Sequence, residues 1–395
     1  MKSIGRNPWF ILATAYGSGI QYHDKNRKLW NAWFCRDFSK GERKTFENEH
    51  SIFIDPWTDT YNQTLLKALS RPEVDFKLPL DATEIDFSDY YFDGVNFENY
   101  IFFKCVKFDN SRFPNPANFR GTLFLDTVTF SNVTFDQTVD FIRANFEGYA
   151  LFDNVAFLKG AQFRHAKFID GVNFITTTFN GIASFHNTKF EKTVDFTDAI
   201  FEKATNFRKS EFKSEYPILK GTNLHSQTSF TAEDSNWPKI KQPQKLLEKS
   251  VHSCAILRHN MSAQGLPDEA HFFFRREMSV KAQMASKQLK ILYYLYDFIS
   301  EYGISVKRPF YAIASLWLFV TLCLYAFSKI SFSYALAISF SNIFKIFGFQ
   351  NTYFEDNLFF NFCYPLKLLL ASQTIIGFIL IFLLGLGIRN LFKLK

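Results

Sequence analysis

The sequence predicts a solenoid of short strands in its middle third, followed by helices that end in a membrane segment. Two observations predict the solenoid: phenylalanine recurs at a fixed spacing, and a small residue usually lies two positions before each one. A third observation predicts the membrane segment, because two long uncharged apolar runs follow residue 308. The chain therefore combines a repeat with transmembrane helices.

The phenylalanine spacing alternates between five and six residues. Two series therefore each keep a period of eleven, and this regularity indicates a repeat architecture. The first series is Phe97, Phe108, Phe119, Phe130, Phe141, Phe152, Phe163, Phe174, Phe185, Phe196 and Phe207. The second is Phe102, Phe113, Phe124, Phe135, Phe146, Phe157, Phe168, Phe179, Phe190, Phe201 and Phe212. Phe87 and Phe92 form a less regular start to the same ladder.

This spacing excludes the two ordinary regular elements. Eleven is also the period of a right-handed helical supercoil, but at about 100° per residue a five-residue step places successive phenylalanines roughly 140° apart around a helix. The segment is also rich in Asn, Asp, Gly and Thr, which are mediocre helix formers. In a continuous strand, a five-residue step would point successive phenylalanines to opposite faces. The chain must therefore turn a corner between them.

The residue two positions before each phenylalanine of the first series is small or β-branched. These residues are Val95, Val106, Ala117, Val128, Val139, Ala150, Ala161, Val172, Ala183, Val194 and Thr205. The second series follows the same rule apart from Tyr100. Short polar residues that can support a tight bend lie between the two inward positions, namely Asn96, Asn118, Asp140, Asn173, Asp195 and Asn206. Each side of a coil thus presents one phenylalanine and one small residue inward, and polar residues outward.

These residues resemble the pentapeptide-repeat family, whose unit is a small residue, Asp or Asn, Leu or Phe, and two turn residues. The resemblance covers about residues 84 to 213, in a variant with one extra residue in every second pentapeptide. It implies an all-β right-handed quadrilateral β-helix with stacked phenylalanines inside. Four sides then form a coil of 22 residues, and coils about 4.8 Å apart give five and a half coils and a rod roughly 26 Å tall. We assign residues 84–230 to this domain.

The best-known members of this family protect DNA gyrase by presenting an acidic, DNA-like rod. Residues 97 to 212 contain 13 Asp plus Glu and 13 Lys plus Arg, so the predicted rod has no net charge. This balance argues against DNA mimicry. The rod is then a docking wall for another protein or a spacer without chemistry of its own.

Two uncharged runs predict transmembrane helices over residues 309–328 and 366–388. Residues 310–327 alone would extend about 27 Å as a helix, which is close to the thickness of a membrane core. Buried helices of a soluble domain are the less favoured alternative.

Charges at the flanks predict the orientation of these helices. Residues 239 to 308 contain 12 Lys plus Arg against 6 Asp plus Glu, and the tail "RNLFKLK" is also basic. Because basic residues accumulate on the cytoplasmic side, both ends are expected in the cytoplasm of a bacterial-type inner membrane. The N-terminal "WFILATAYGSGI" does not have the pattern of a signal peptide. Five scattered cysteines without paired spacing suit a reducing compartment; they are Cys35, Cys105, Cys254, Cys323 and Cys363.

Residues 332–349 between the two predicted spans form an amphipathic or re-entrant helix. Phe332, Leu336 and Phe340 lie on one predicted side, whereas Asn342 and Lys345 lie toward another. A full third crossing would place Lys345 in lipid at a cost of about 3 kcal/mol.

The order helix, short helix, loop, helix is similar to the two-helix pore domains of the potassium-channel superfamily. The segment "LLASQTIIGFILIFLLGLGIRN" is similar to their inner helix, with Gly377 at the position of a hinge. The filter departs from that family, because "KIFGFQ" stands where potassium filters read Thr-Val-Gly-Tyr-Gly. A pore would therefore be unselective, or anion-preferring if Lys345 faced it. A simple hairpin anchor is the alternative.

Gln373, between Ser372 and Thr374, is the residue in the second span that most needs a polar partner. Such groups face either a helix interface or an aqueous path. Asn342, Lys345, Gln373 and Gly377 are our pore or interface candidates.

The remaining regions are a cap and an adaptor. Residues 1–83 contain a basic and aromatic mixture that would cap the open end of the solenoid, and nucleic-acid binding is the less favoured interpretation of this mixture. Residues 231–306 read as a helical adaptor before the membrane domain at 307–395. No phosphate loop, nucleophile elbow or metal-ligand spacing occurs, so we expect no enzyme activity, cofactor or metal.

The sequence thus predicts a membrane-anchored, non-enzymatic interaction scaffold, with an oligomeric ion-channel-like pore gated by the repeat domain as the alternative. Expected partners are the lipid bilayer, further copies of the chain and an unidentified cytosolic protein. Nucleic acid is not expected.

Overall fold

The computed structural model describes residues 2–3, 7–70, 84–94, 96–349 and 362–392. Three predictions fall partly outside these ranges: the cap at 1, 4–6 and 71–83, the inward position of Val95, and the membrane domain at 350–361 and 393–395, which includes Gln350 of "KIFGFQ" and the end of the basic tail. The chain divides into two compact units, Met1–Glu277 and Met278–Lys395.

The first unit contains a four-walled parallel β-helix of about seven turns, which confirms the predicted solenoid. We number the walls in chain order. Wall 1 comprises Glu84–Asp86, Cys105–Lys107, Val128–Thr129, Ala150–Leu151, Gly171–Asn173 and Thr193–Asp195. Wall 2 comprises Lys2–Ser3, Tyr90–Tyr91, Arg112–Phe113, Thr134–Phe135, Ala156–Phe157, Thr178–Phe179 and Ile200–Phe201.

Walls 3 and 4 complete each coil. Wall 3 comprises Ala117–Asn118, Val139–Asp140, Ala161–Gln162, Ala183–Ser184, Asn206–Phe207 and Ser229–Phe230. Wall 4 comprises Ile101–Phe102, Leu123–Phe124, Asn145–Phe146, Lys167–Phe168, Lys189–Phe190 and Glu211–Phe212. The phenylalanine ladder alone predicted five and a half coils. The solenoid is longer because strands before the ladder, at Glu84 and Tyr90, and after it, at Ser229, continue the walls.

Residues 22 positions apart stack directly on one another. Phe135 pairs in register with Phe157, and Phe157 with Phe179. The Phe163 and Phe185 rings are parallel, with centroids 4.9 Å apart. Rings of the first series also meet the ring eleven residues further along the same series edge-on, as Phe163 and Phe174 do at 5.5 Å. Stacked and edge-on pairs are the favoured arrangements of aromatic rings, so the interior is one continuous aromatic column.

The five-residue steps are tight turns with a left-handed third residue. In the turn Phe130–Val133, the Val133 N–H donates to the Phe130 carbonyl at 3.3 Å and Asn132 has φ of 60°. This pattern is typical of a type II turn. The polar residue before the phenylalanine stabilises the bend, since Asp140 Oδ1 accepts the Ile142 N–H at 2.7 Å. The six-residue steps lie at the other two corners.

Four helices precede the solenoid: α1 (Pro8–Ala13), α2 (His23–Phe34), α3 (Lys40–His50) and α4 (Asp59–Leu69). Trp30 of α2 packs its ring 5.5 Å from that of Phe102 and donates from Nε1 to the Ile101 carbonyl at 2.8 Å. Tyr100, the large exception among the predicted small residues, reaches out of the coil and donates to the Ala13 carbonyl at 2.9 Å. These helices cover the first coil.

The prediction that all outward positions are polar is wrong for the first two coils of wall 4. Cys35 and Ile54 pack there against Ile101 and Leu123, together with the neighbouring Phe38, Phe46, Ile52, Phe103 and Leu125. The N-terminal region therefore covers a side of the solenoid as well as its end.

Helices α5 (Leu247–Ala263) and α6 (Pro267–Met284) follow the last coil. Trp237 stacks on Phe212 at 4.9 Å and meets Phe273 of α6 edge-on at 4.9 Å. The buried Arg276 donates to the Tyr216 hydroxyl and to the Pro238 carbonyl, both at 2.8 Å. The second end of the aromatic column is thus also covered.

The second unit contains α7 (Lys287–Ser300), α8 (Lys307–Ser328), α9 (Phe332–Ile343) and α10 (Tyr364–Leu391). Among the described residues, α8 and α10 are the two helices long and apolar enough to cross a membrane. The amphipathic segment predicted over 332–349 is shorter as an α-helix. It ends at Ile343 and continues as a single 3-10 turn, Lys345–Phe347, because Gly348 leaves the helix with φ of 78°.

Candidate functional site

The most concentrated polar chemistry in the second unit lies where α9 packs against α8 and α10. Ala335, Ile338 and Ser339 of α9 are buried, whereas Phe332 and Phe340 are exposed. The small and polar side of α9 therefore faces the other helices, and its phenylalanines face outward. Buried residues of α10 recur at helical spacing on the facing side; they are Leu366, Leu370, Gln373, Gly377, Leu380, Leu383 and Gly387.

Asn342 and Gln373 are fully engaged with each other and with their neighbours. Asn342 Nδ2 donates to Gln373 Oε1 at 3.0 Å and to the Leu370 carbonyl at 2.8 Å. Gln373 Nε2 donates to Ser339 Oγ at 2.8 Å and to the Ser339 carbonyl at 3.2 Å. Thr374 Oγ1 donates to Asn342 Oδ1 at 3.1 Å. All four amide oxygen and nitrogen atoms of the two side chains therefore have partners within one chain.

A link to α8 completes this network. Ser339 Oγ donates to the Trp317 carbonyl at 3.0 Å, and Trp317 Nε1 donates to the Leu336 carbonyl at 3.0 Å. Gln373 and Ser339 are both completely buried. In an apolar surrounding, unpaired polar groups raise the free energy of the folded state by several kcal/mol. The network therefore holds α8, α9 and α10 in one register.

Gly377 lies where the end of α9 approaches α10 most closely. A Cβ atom at this position would lie 3.2 Å from Ile343 Cγ2 and 3.4 Å from Ile343 Cα. Small residues allow helix backbones to approach in membranes, so this contact accounts for the glycine without a hinge. The hinge stays a prediction.

Lys345 is not part of the network. It is exposed in the 3-10 turn after α9. It borders an open groove of about 400 Å³ whose other lining residues include Ile346, Thr374 and Phe378. The structure thus brings Asn342, Gln373 and Gly377 together and leaves Lys345 at the edge. Sequence reasoning missed Ser339, although its spacing of three residues from Asn342 on one helix face was a usable signal.

The predicted structural ladder forms the interior of the first unit. Each of Phe108, Phe119, Phe130, Phe141, Phe152, Phe163, Phe174, Phe185, Phe196 and Phe207 is at most 2% exposed. Buried hydroxyl groups satisfy carbonyls inside the coils, since Thr188 Oγ1 donates to the Phe163 carbonyl and Ser210 Oγ to that of Phe185, both at 2.6 Å. Stacked rings and paired hydroxyl groups therefore occupy the interior of the described coils, and we expect any binding by the solenoid on its walls and corners.

A cavity of about 290 Å³ lies in the first unit between the N-terminal helices and wall 3. Its lining includes His23, Asn26, Tyr100 and Asn118. Burial lowers the pKa of His23, and neither ring nitrogen has a hydrogen-bond partner within the described part of the chain. Among the described residues, no group of three or more His, Cys, Asp or Glu could hold a metal ion.

The comparisons with known proteins agree with the repeat geometry. A family model described as "Pentapeptide repeats (9 copies)" matches residues 97–144 and 141–189. This match confirms the resemblance for the coils that it covers, and it does not extend to the N-terminal helices or to the second unit. No curated protein and no solved structure matches the chain. The chain therefore contains a four-walled β-helix, of which residues 97–189 match the pentapeptide-repeat model, and a unit with two apolar helices.

Proposed function

We propose that this protein is a non-enzymatic, membrane-anchored scaffold. Helices α8 and α10 hold it in a bacterial-type inner membrane, and the solenoid presents its walls to a cytosolic protein partner. Both termini and the solenoid lie in the cytoplasm, because the basic residues flank α8 and α10 on that side.

The observation that favours an anchor over a pore is the closed hydrogen-bond network around Gln373. A pore needs several copies of the chain, with Asn342, Lys345 or Gln373 lining its water-filled path. The hydrogen-bonding groups of Asn342 and Gln373 are instead paired within one chain. Polar groups of this kind act as contacts between helices rather than as a lining. Lys345 alone is left to face water, and one exposed lysine favours the head-group region over a conduction path.

The observation that supports the scaffold is that both ends of the solenoid are covered. Trp30 closes the first coil and Trp237 closes the last. End-to-end stacking of solenoids is therefore blocked, and lateral surfaces remain for binding. Pentapeptide-repeat solenoids commonly serve as protein-interaction scaffolds, which agrees with this arrangement.

Two measurements test the proposal. The full chain should stay with membranes after alkaline carbonate extraction, and recovery in the soluble fraction would refute the anchor. Purified protein in planar bilayers should give no discrete currents across salts and voltages. Discrete currents whose ion preference changes in Lys345→Glu would refute a role as anchor alone and establish the pore, with Gln373→Ala as the variant that tests the network.

A photo-crosslinking residue at Ile182 tests the scaffold, because this side chain is 62% exposed on the solenoid. In intact cells it should yield one discrete adduct with another protein. The same residue placed at the buried Phe163 should yield none. Equal adducts at both positions would indicate unfolded protein, and their absence at Ile182 and at further exposed wall positions would refute a protein-binding wall.

A further inference from the structure

The solenoid has no net charge, yet its charges are separated across the coil. The two corners built from five-residue turns lie diagonally opposite each other, one between walls 1 and 2 and the other between walls 3 and 4. Each contributes two outward residues per coil, the two that follow an inward phenylalanine. Because both corners use the same turn, their residues can be compared position by position.

The corner between walls 3 and 4 is basic. Over six coils its twelve turn positions hold five cations, two histidines and one acid. We call the cations Arg120, Arg143, Arg164, Arg208 and Lys209 the basic corner. All five are exposed. None of them forms an ion pair with another residue in the described part of the chain.

The corner between walls 1 and 2 has the opposite charge. Its twelve turn positions hold four acids and no cation. We call Asp89, Asp109, Asp153 and Asp198 the acidic corner. Asparagines occupy three of the six left-handed positions of this corner, and Asn154 Nδ2 donates to Asn132 Oδ1 at 2.8 Å, as Asn132 does to Asn110 at 3.0 Å.

Folding alone does not explain the basic corner. Arg143, His165 and Lys209 adopt φ of 59°, 61° and 60° at left-handed turn positions, and three of the six equivalent positions of the opposite corner hold asparagine. Asparagine tolerates this conformation better than arginine, histidine or lysine. Like charges stacked on successive coils also repel. The chain therefore keeps cations where an asparagine ladder would stabilise the same turns better.

We propose that the basic corner is a contact site for an anionic lipid surface, so that the solenoid lies with this edge against the bilayer that holds its anchor. This inference depends on the proposed function as a membrane anchor. Cations near an anionic leaflet are attracted without close packing, and the attraction extends over about a Debye length of 8 to 10 Å. Apolar helices in the same chain keep the solenoid near a bilayer, which raises its effective concentration there.

The shape of the corner favours a flat surface over other anions. Arg208 borders an open groove of about 540 Å³ beside the last coil, but the five cations are spread over several coils along one edge, which suits an extended surface better than a single small ligand. Two convex edges meet along a line only, and the buried area is then too small for a stable dimer. The twelve positions of the basic corner include no Phe, Tyr or Trp, the large rings on which single-stranded nucleic-acid binders mainly stack bases. The acidic corner, on the far side of each coil, would be repelled by the same surface and would fix the rotation of the solenoid about its axis.

The test compares full-length protein in nanodiscs of neutral phosphatidylcholine with nanodiscs that also contain phosphatidylglycerol. The readout is acetylation of two exposed lysines on neighbouring corners, Lys209 on the basic corner and Lys203 between walls 2 and 3. We expect anionic discs to slow labelling of Lys209 by about fivefold, which corresponds to about 1 kcal/mol of attraction for a cation at such a surface. Lys203 should label equally in both discs, and salt of about 0.5 M should abolish the difference.

The decisive variant is Arg143→Asn with Arg164→Ser and Arg208→Thr. Each new residue is the type that the acidic corner uses at an equivalent turn position, as in Asn132, Ser131 and Thr197. The variant should melt at the same temperature as the wild type or higher, and the protection of Lys209 should disappear. The matched control, Asp153→Asn with Asp198→Asn, changes charge on the opposite corner and should keep the protection.

The outcomes separate the two proposals. Equal labelling of Lys209 in both kinds of disc, in protein that enters them, overturns the lipid contact and leaves the anchor intact. Protection in neutral discs that rises with the number of copies per disc would assign the corner to a second copy and overturn it as well. A chain that enters neither disc overturns the anchor and the contact together.

Discussion

Replacement of Gln373 by leucine tests whether the polar network belongs to helix packing. The Gln373 side chain takes part in three hydrogen bonds to α9, one from Asn342 and two to Ser339. Hydrogen bonds between membrane helices average about 0.6 kcal/mol each and reach about 1.7 kcal/mol. We therefore expect Gln373→Leu to lower the free energy of unfolding of the second unit by about 2 kcal/mol.

Thr321→Val is the matched control. Thr321 is completely buried in α8, and its hydroxyl donates to the Trp317 carbonyl of the same helix at 2.8 Å. Loss of this hydroxyl removes one hydrogen bond within α8 and no observed hydrogen bond between helices, so the free energy of unfolding should change by less than about 1 kcal/mol. Unfolding in mixed micelles of dodecylmaltoside with rising dodecyl sulfate, followed by circular dichroism, measures both variants.

The result that refutes this reasoning is a Gln373→Leu protein at least as stable as the wild type. Leucine is more favourable than glutamine wherever the side chain faces lipid. A side chain that lined water would also lose no helix contact on replacement. A stable variant would thus remove the observation on which the anchor depends.

Three further predictions concern the first unit. Phe163→Ala should lower the free energy of unfolding in urea by about 4 kcal/mol because the ring is completely buried, whereas Ile182→Ala, at an exposed position, should change it by less than about 0.5 kcal/mol. NMR titration should give His165 a pKa below its ordinary 6.5, because burial and then His186, Arg143 and Arg164 disfavour its charged form; Arg143→Asn should raise this pKa. Since the folded state binds the His165 proton more weakly than the unfolded chain does, the stabilisation by neutral His165 is lost as pH falls below 6.5. Burial raises the pKa of the Cys254 thiol to about 12, so maleimide at pH 8 should label Cys254 only after denaturation, and rapid labelling of native protein would contradict the buried position.

The solenoid was predictable because its inward positions repeat without interruption. A step of five and six residues leaves a coiled backbone as the only arrangement that buries every phenylalanine, and the register Phe135 to Phe157 follows directly. The length was underestimated because Tyr90 and Ser229 continue the walls without the full pattern. Repeat ends depart from consensus since they must meet a cap, so a period count finds the middle of a solenoid better than its ends.

The covered side of the solenoid was missed although the sequence carried a signal. Ile101 and Leu123 stand at outward positions of wall 4 where later coils have Lys167 and Lys189. Apolar residues at outward positions of a repeat indicate a covering element. The partners of Gln373 carried no such signal, because they depend on which side of α9 faces α10. A polar residue in an apolar run predicts that a partner exists and does not identify it.

The charge count shows how a sum can hide a site. Equal numbers of acids and bases in the rod argued against a DNA mimic, and that argument concerns the net charge alone. Placing the same residues on the coils puts Arg164 and Asp153 on opposite corners, because they differ by half a turn of the repeat. If the basic corner lies on lipid, walls 1 and 2 point away from the bilayer, and wall 2 carries the exposed residues Tyr91 and Ile200. The lipid contact would then select the face that meets the protein partner.

Substitutions on walls 1 and 2 should therefore impair partner binding and leave the protection of Lys209 unchanged, whereas the basic-corner variant should impair both, since a freely rotating solenoid presents its partner face less often.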